Sequence, residues 1–317
     1  MPGMPLAPKL PLAHVSWAIA DNADRKPCDH WLIDTFGAEE VYEMLMTPEA
    51  EKMGLDREET LMMISDTMVI PIAPAPSGPA VDSPTGQMLR RNAGSMRWLG
   101  VALKVANLKQ AAAWFQSKGF TLHFDPGMEE IYFLVGRKQA LGVRLEILAH
   151  DLPNDPRQKE GWNAVRWRDE HPLGIEGLQS IGVSAVTFAA ARECFGERLE
   201  LTELGQRDLP GEDAACVAFD LGDTVIEAMV STGEESVLGW HANNVQGIYC
   251  LTFKVKSAAA AEAYLKSKGF ELVGDVANRF AIHPREAHER LIFFTEHEVP
   301  GYPKLGSRLL EPAQFPA

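Results

Sequence analysis

The chain has 317 residues, 46% of them hydrophobic and 23% charged, which is globular composition with length enough for two cores. A formal charge of −14 excludes the basic face that a nucleic acid or an anionic membrane needs, and no apolar run reaches membrane-spanning length. The cysteines Cys28, Cys194, Cys216 and Cys250 form no CxxC pair, so neither a disulfide frame nor a zinc knuckle is expected, and reduced thiols together with a Pro-rich start lacking signal-peptide character predict a cytoplasmic protein.

In chain order, a first unit opens with an apolar strand at 14–19, headed by His14. It continues through Trp31 to Phe36 and Gly37, a strand at 41–46, and a closing strand at 65–70. Residues 73–95 are rich in Pro, Gly and Ser and read as a surface loop. A second unit opens with a strand at 99–105. Its helix starts near Leu108, places Ala112, Phe115 and Gln116 on one face, and stops at Gly119. Strands follow at 120–124, 131–135 and 143–148. Residues 153–172 carry Trp162 and Trp167 among many charges and read as a connection. The acidic Asp155, Glu160, Asp169 and Glu170 cancel any field there that would draw a nucleic acid. A third unit opens at 180–183, passes Phe195 and Gly196, and ends at 222–227. The fourth has a strand at 248–255, a helix to Lys268, a stop at Gly269, and strands at 271–273, 279–282 and 291–295.

The second and fourth units are copies. Lys104-Val105 matches Lys254-Val255, Ala111 matches Ala261, and Ser117-Lys118-Gly119-Phe120 matches Ser267-Lys268-Gly269-Phe270, without a gap. The first and third units share an Asp-Thr ending before an apolar run, Asp66-Thr67 and Asp223-Thr224, as expected from duplication of a pair.

Four βαβββ units, the opening Leu12-Ala13-His14-Val15, the segment Gly142-Val143-Arg144-Leu145-Glu146, and Ala281-Ile282-His283-Pro284 with His288 downstream resemble the vicinal oxygen chelate superfamily. That group includes glyoxalase I, methylmalonyl-CoA epimerase, extradiol dioxygenases and the bleomycin- and fosfomycin-resistance proteins. The resemblance covers about residues 10–300. It implies an α+β fold of four βαβββ modules paired into two glyoxalase-like domains with cupped mixed β-sheets. The expected domains are 10–152 (modules about 12–73 and 96–152) and 174–300 (modules about 176–232 and 245–300), joined by a linker at 153–173 and followed by a tail at 301–317. Modules one and two would pair with each other, or else one with four and two with three.

In that superfamily each module offers two inward positions for metal ligands, one on its first strand and one on its last. Carried onto this chain, the first-strand positions are His14, Gly100, Ser180 and Cys250. The last-strand positions fall near Ile70 and at Glu146, Glu227 and Phe293. Phe293 rather than Glu296 faces Glu146 because Ala149-His150-Asp151-Leu152-Pro153 aligns with Glu296-His297-Glu298-Val299-Pro300. No pairing gives the two His and one Glu of an extradiol dioxygenase, nor the four ligands of glyoxalase I.

The resemblance therefore implies an enzyme, a lyase, isomerase or ring-cleaving dioxygenase-like catalyst, acting on a small oxygen-bearing molecule, aromatic ones included, with an incomplete or atypical metal site. His14, Glu146 and Glu227 are the candidate catalytic residues and the candidate ligands of a divalent Fe, Zn, Mn or Ni. Strand alternation puts Glu146 and Arg144 on one face, so Glu146 either serves the cup or pairs outward with Arg144. The alternative is a metal-free protein that sequesters a small ligand, or a chain in which one module pair has lost its site and acts as scaffold. His150, His283, His288 and His297 read as rim histidines or as members of a shifted site. Trp17, Trp98 and Tyr249 read as core packing or as an aromatic-ligand wall. Cys250 is a ligand or nucleophile only if something activates it. The expected partner is a small molecule, with no nucleic acid and no membrane; a homodimer is allowed.

Overall fold

The first module runs β1 (Leu12–Ala18), α1 (Arg25–Phe36), β2 (Glu39–Met44), α2 (Pro48–Lys52), β3 (Arg57–Ile64) and β4 (Thr67–Pro74). α3 (Pro84–Asn92) leads to the second module: β5 (Trp98–Lys104), α4 (Leu108–Ser117), β6 (Leu122–His123), β7 (Tyr132–Val135) and β8 (Arg144–Leu148). The third has β9 (Ile175–Ser184), α5 (Phe188–Ala191) continuing into a π-helical turn, β10 (Thr202–Asp208), β11 (Ala214–Asp220) and β12 (Val225–Ser231). After α6 (Val237–Asn244) the fourth has β13 (Gly247–Val255), α7 (Ala258–Ser267), β14 (Leu272–Asp275), β15 (Arg279–Ile282) and β16 (Leu291–Thr295). This computed structural model describes residues 9–52, 54–92, 98–125, 127–233, 235–302 and 311–315.

Local chemistry explains the repeated helices. The Asn107 side chain accepts from the Gln110 amide to cap α4, and Ser257 does the same for α7 through Ala260. Gly119 and Gly269 follow with φ of 79° and 88°, the left-handed stop expected from sequence.

The strands form two eight-stranded sheets, β2-β3-β4-β1-β5-β8-β7-β6 and β10-β11-β12-β9-β13-β16-β15-β14. Module one thus pairs with two, and three with four, through antiparallel β1/β5 and β9/β13. The expected α+β, glyoxalase-like architecture is present. The register also makes the eight carried-over positions equivalent. Ser16 lies beside both Gly100 and Ile70, and Ala102 beside both His14 and Glu146. Gly182 lies beside both Cys250 and Glu227, and Thr252 beside both Ser180 and Phe293. Phe293 is therefore the counterpart of Glu146.

Alternation gives each sheet a helix-covered face and a concave one. Val15, Trp17, Val101 and Leu103 of one sheet and Ile181, Val183, Leu251 and Phe253 of the other belong to a single buried core. The helix-covered faces therefore meet, and the concave faces point apart. α1 crosses over: Phe36 of the first sheet's helix lies 6.2 Å from Phe253 and 5.8 Å from Phe294 of the second. The Asp-Thr endings latch the halves reciprocally. Asp66 accepts from the Leu178 amide at 2.9 Å, and Asp223 accepts from the Leu12 amide at 3.0 Å. Gly142 (φ 83°) and Gly247 (φ 99°) touch backbone to backbone, so a Cβ on Gly142 would lie 2.4 Å from the Gly247 nitrogen.

Some stretches differ from expectation. Residues 73–95 are not simply a surface loop: Ala73 ends β4 fully buried, and α3 buries Leu89 (93–95 lie outside the described residues). The Pro-, Gly- and Ser-rich composition concealed a short amphipathic helix. Strands β3, β10 and β11 escaped the sequence reading because unbroken apolar runs such as 61–64 and charged alternation such as 202–208 both hide a two-residue period. The connection expected at 153–173 packs on the first sheet's module. Trp167 is buried and donates to the Gly37 carbonyl, and buried Arg157, tied to Asp155, donates to the Ala13 and Asp66 carbonyls.

Candidate functional site

The second cup holds a chamber of about 320 Å³, within the range of small-molecule sites. Leu209, Pro210, Val299 and Pro300 supply apolar wall. Its polar centre is Glu227, 2% exposed, on β12. Ser180 donates to Glu227 Oε2 at 2.6 Å, Arg207 of β10 binds Oε1, and Arg279 Nη1 stands 3.9 Å from Oε2. Burial alone would raise the Glu227 pKa, but Arg207 and Arg279 outweigh it and hold the carboxyl below its ordinary value. Arg279 is itself clamped by Glu212, with Nε–Oε1 at 2.5 Å and Nη2–Oε2 at 2.7 Å, and lies over the Phe293 ring at 4.2 Å. Its burial would lower its pKa, but the Glu212 bonds raise it instead. Glu227 at neutral pH is thus a fixed charge, poorly suited to abstract a proton.

Cys250 occupies the first-strand position of module four, where burial pushes its thiol up to about 12. Its Sγ lies 3.8 Å from Met229 Sδ and fills the space above Gly182, where a Cβ would meet it at 2.4 Å. A protonated thiol packed in this way is a poor nucleophile at neutral pH. One buried group stands apart. Gln179 borders the chamber, is 1% exposed, and neither amide atom has a hydrogen-bond partner. Leaving such groups unmet costs on the order of 1–3 kcal/mol.

The first cup is nearly full. His14 Nε2 stands 3.9 Å from Glu146 Oε2, so two of the three sequence candidates meet, and Glu227 lies in the opposite cup. Burial lowers the His14 pKa to about 4, aided by Arg157 and Arg57 against Glu59. Burial also raises that of Glu146, against Arg57 and Arg144. Met88 and Leu89 of α3 close over the cup on the Glu146 side, leaving about 50 Å³ beside Ser16, Gly100, Tyr132 and Glu146. Space of that size holds water but not an organic molecule.

Among the described residues, the donor chemistry of neither cup fits a chelated divalent cation. The first offers His14 and Glu146, with Ile70 and Gly100 in the other two positions and Arg57 and Arg144 close by. The second offers Ser180 and Glu227 beside Phe293 and Cys250, whose sulfur is packed on Met229 and Gly182, with guanidinium groups already on the carboxylate. Three donors or more are usual.

The remaining candidates disperse. Trp17 and Trp98 pack together in the shared core, 5.0 Å apart, and Tyr249 packs on His241 at 5.2 Å in the apolar cluster of the second cup. His288 lies between Trp17 and Trp31, and His283 caps the turn at Pro284–Glu286. His150 is bonded to the Glu130 carbonyl. His297 reaches the chamber rim but is bonded to the Ala277 carbonyl at 2.8 Å. Arg207, Arg279, Glu212 and Gln179 escaped the sequence reading. The offset of 147 that aligns Glu146 with Phe293 also aligns Tyr132 with Arg279, and was the signal available for one of them.

No protein-family model matches the chain, and no curated protein matches it in sequence. Among solved structures it is similar to a triple mutant of 4-hydroxymandelate synthase from Streptomyces coelicolor, with 13% identity, 95% of each chain covered and a TM-score of 0.66. Methylmalonyl-CoA epimerase from Mycobacterium tuberculosis matches at 22% identity over 38% of this chain and 87% of its own, with a TM-score of 0.35. A hypothetical protein from Bacillus halodurans matches at 23% over 40% and 97%, with a TM-score of 0.36. The full-length likeness shows the fold; the two shorter ones add no weight.

Proposed function

We propose that this chain, whose fold is that of the vicinal oxygen chelate superfamily, binds a small organic molecule in its second cup without a metal, while the first cup serves as scaffold. The ligand has an apolar body and adjacent oxygens. The carrying observation is the contrast between the cups: about 320 Å³ around a buried Arg–Glu–Ser cluster in one, and about 50 Å³ beneath α3 in the other. Leu209, Pro210 and Val299 suit the apolar body. Thr252 and the N–H groups of Arg207 and Arg279 left over by their carboxylates suit oxygens, with the charges set in place by Glu212 and Glu227. The likeness to a 4-hydroxymandelate synthase supports aryl 2-hydroxy acids and their amides as first probes.

Calorimetric titration with 4-hydroxymandelate, 4-hydroxymandelamide and catechol, in the presence of a chelator, tests this. We expect at least one probe to bind once per chain with Kd unchanged by chelator, and Ser180→Trp, which fills the chamber, to abolish it. Binding that needs added Fe, Zn, Mn or Ni, or that survives Ser180→Trp, contradicts the reading.

A second reading has one observation in its favour. Glu146 and His14 stand 3.9 Å apart, and burial favours the neutral form of each, lowering the His14 pKa to about 4 and raising that of Glu146, so a neutral base and a carboxylic acid lie side by side. On that reading the first cup moves a proton beside a carbonyl, as in a lyase or isomerase, and α3 must leave before substrate enters.

A further inference from the structure

We infer that Gln179 is the specificity-determining residue of the second cup and that it selects a carboxamide over the corresponding carboxylate. This rests on the chamber being the ligand site.

The argument begins with the backbone. Ser180 pairs with Thr252, but the next partner of Phe253 is Leu178, so Gln179 is an extra residue in β9. Such a bulge re-aims a side chain, and bulges recur beside functional sites. The first cup has a bulge at the equivalent place, between Leu12 and His14, and there the extra residue is Ala13, packed with Ala102 and Leu148. The fold therefore asks only for a small residue here, and a glutamine needs another explanation.

The other buried polar side chains of the chamber are engaged. Ser180 and Arg207 hold Glu227, Glu212 holds Arg279, Arg279 Nη1 reaches Thr252 Oγ1 at 3.4 Å, and Thr295 donates to the Asn278 carbonyl. Gln179 alone among them has both its carbonyl oxygen and its NH₂ unmet. A primary amide is completed on one edge by a group that offers an acceptor and a donor side by side, which a carboxamide does and a carboxylate does not. Charge points the same way. Two arginines in the chamber wall, both committed, stand against four carboxylates, Asp208, Glu212, Glu227 and Glu298. That surplus of negative charge opposes an anion and leaves a neutral amide unaffected.

The test is a matched pair, 4-hydroxymandelamide and 4-hydroxymandelate, titrated at neutral pH into the full chain and into Gln179→Leu and Gln179→Ala. The second variant installs the residue the first cup already tolerates. We expect the amide to bind about tenfold tighter or more in the parent chain, the difference one well-made buried hydrogen-bond pair supplies. In both variants the ratio should fall about tenfold, to the residual preference that the negative wall alone imposes, while thermal stability without ligand stays equal or rises because an unmet amide has been removed. Equal affinities in the parent, a preference for the acid, or a preference undiminished by both substitutions overturns the inference and leaves the chamber reading standing. Binding of neither compound, nor of catechol, overturns both.

Discussion

Phe36→Ala is expected to lower stability by about 3–5 kcal/mol, as for an aromatic removed from a well-packed core. Phe36 is fully buried and lies against Trp31 at 5.2 Å, Phe294 at 5.8 Å and Phe253 at 6.2 Å. Trp31 belongs to its own helix, whereas the other two rings belong to β13 and β16 of the second sheet. The loss should therefore be felt in both halves. Hydrogen exchange read by mass spectrometry should show β1 and β13 losing protection together, and denaturant unfolding of both the parent and the variant should remain one transition. Loss of protection confined to the first module would mean that the sheets are merely adjacent. The reciprocal Asp66 and Asp223 bonds and the Gly142–Gly247 contact give the same coupling a second and third route.

The second large effect is at Glu227. Glu227→Gln keeps the shape and removes the charge, leaving Arg207 without its carboxylate in a part-buried site. Breaking such a pair costs about 3–5 kcal/mol when both partners are fully buried, and Arg207 retains some access to solvent, so we expect roughly 2–4 kcal/mol by denaturation. Adding Arg207→Gln should recover part of that loss, and a coupling energy near zero would contradict the geometry. The pH dependence has a definite sign. The folded pKa of Glu227 lies below its ordinary 4.5, so its contribution is complete above about pH 4.5 and is lost as pH falls through the folded value. In Glu227→Gln that acid-side loss should be smaller. The substitution also makes the chamber less negative, so the discrimination against carboxylate ligands should weaken.

Much of this fold was legible because the duplication wrote it twice. The segments at 104 and 254 keep their apolar spacing, caps and glycine stops, and these are local signals that survive divergence. The inward positions could be carried across because strand register is a two-residue count, and the pairing of Ala102 with Glu146 and of Thr252 with Phe293 matches that count. What could not be read was which side chains meet. Glu227 would share a cup with Glu146 if modules two and three paired, or with Cys250 if three and four did, and the pairing of modules one with two sends it to the cup of Cys250. Arg207 sits on β10, whose charged alternation looks like any solvated edge strand, and only the curl of the sheet brings it over β12. Gln179 gave no signal, because a bulge is a property of two strands in register.

The most direct measurement is the anomalous signal of a bromine-substituted probe, 3-bromo-4-hydroxymandelamide, soaked into crystals of the chain. The account predicts a bromine peak in the second cup against Leu209, Pro210 and Val299, with the amide edge on Gln179 and no metal peak between Glu227 and the ligand. A bromine peak beside His14 and Glu146, with α3 displaced, would contradict it.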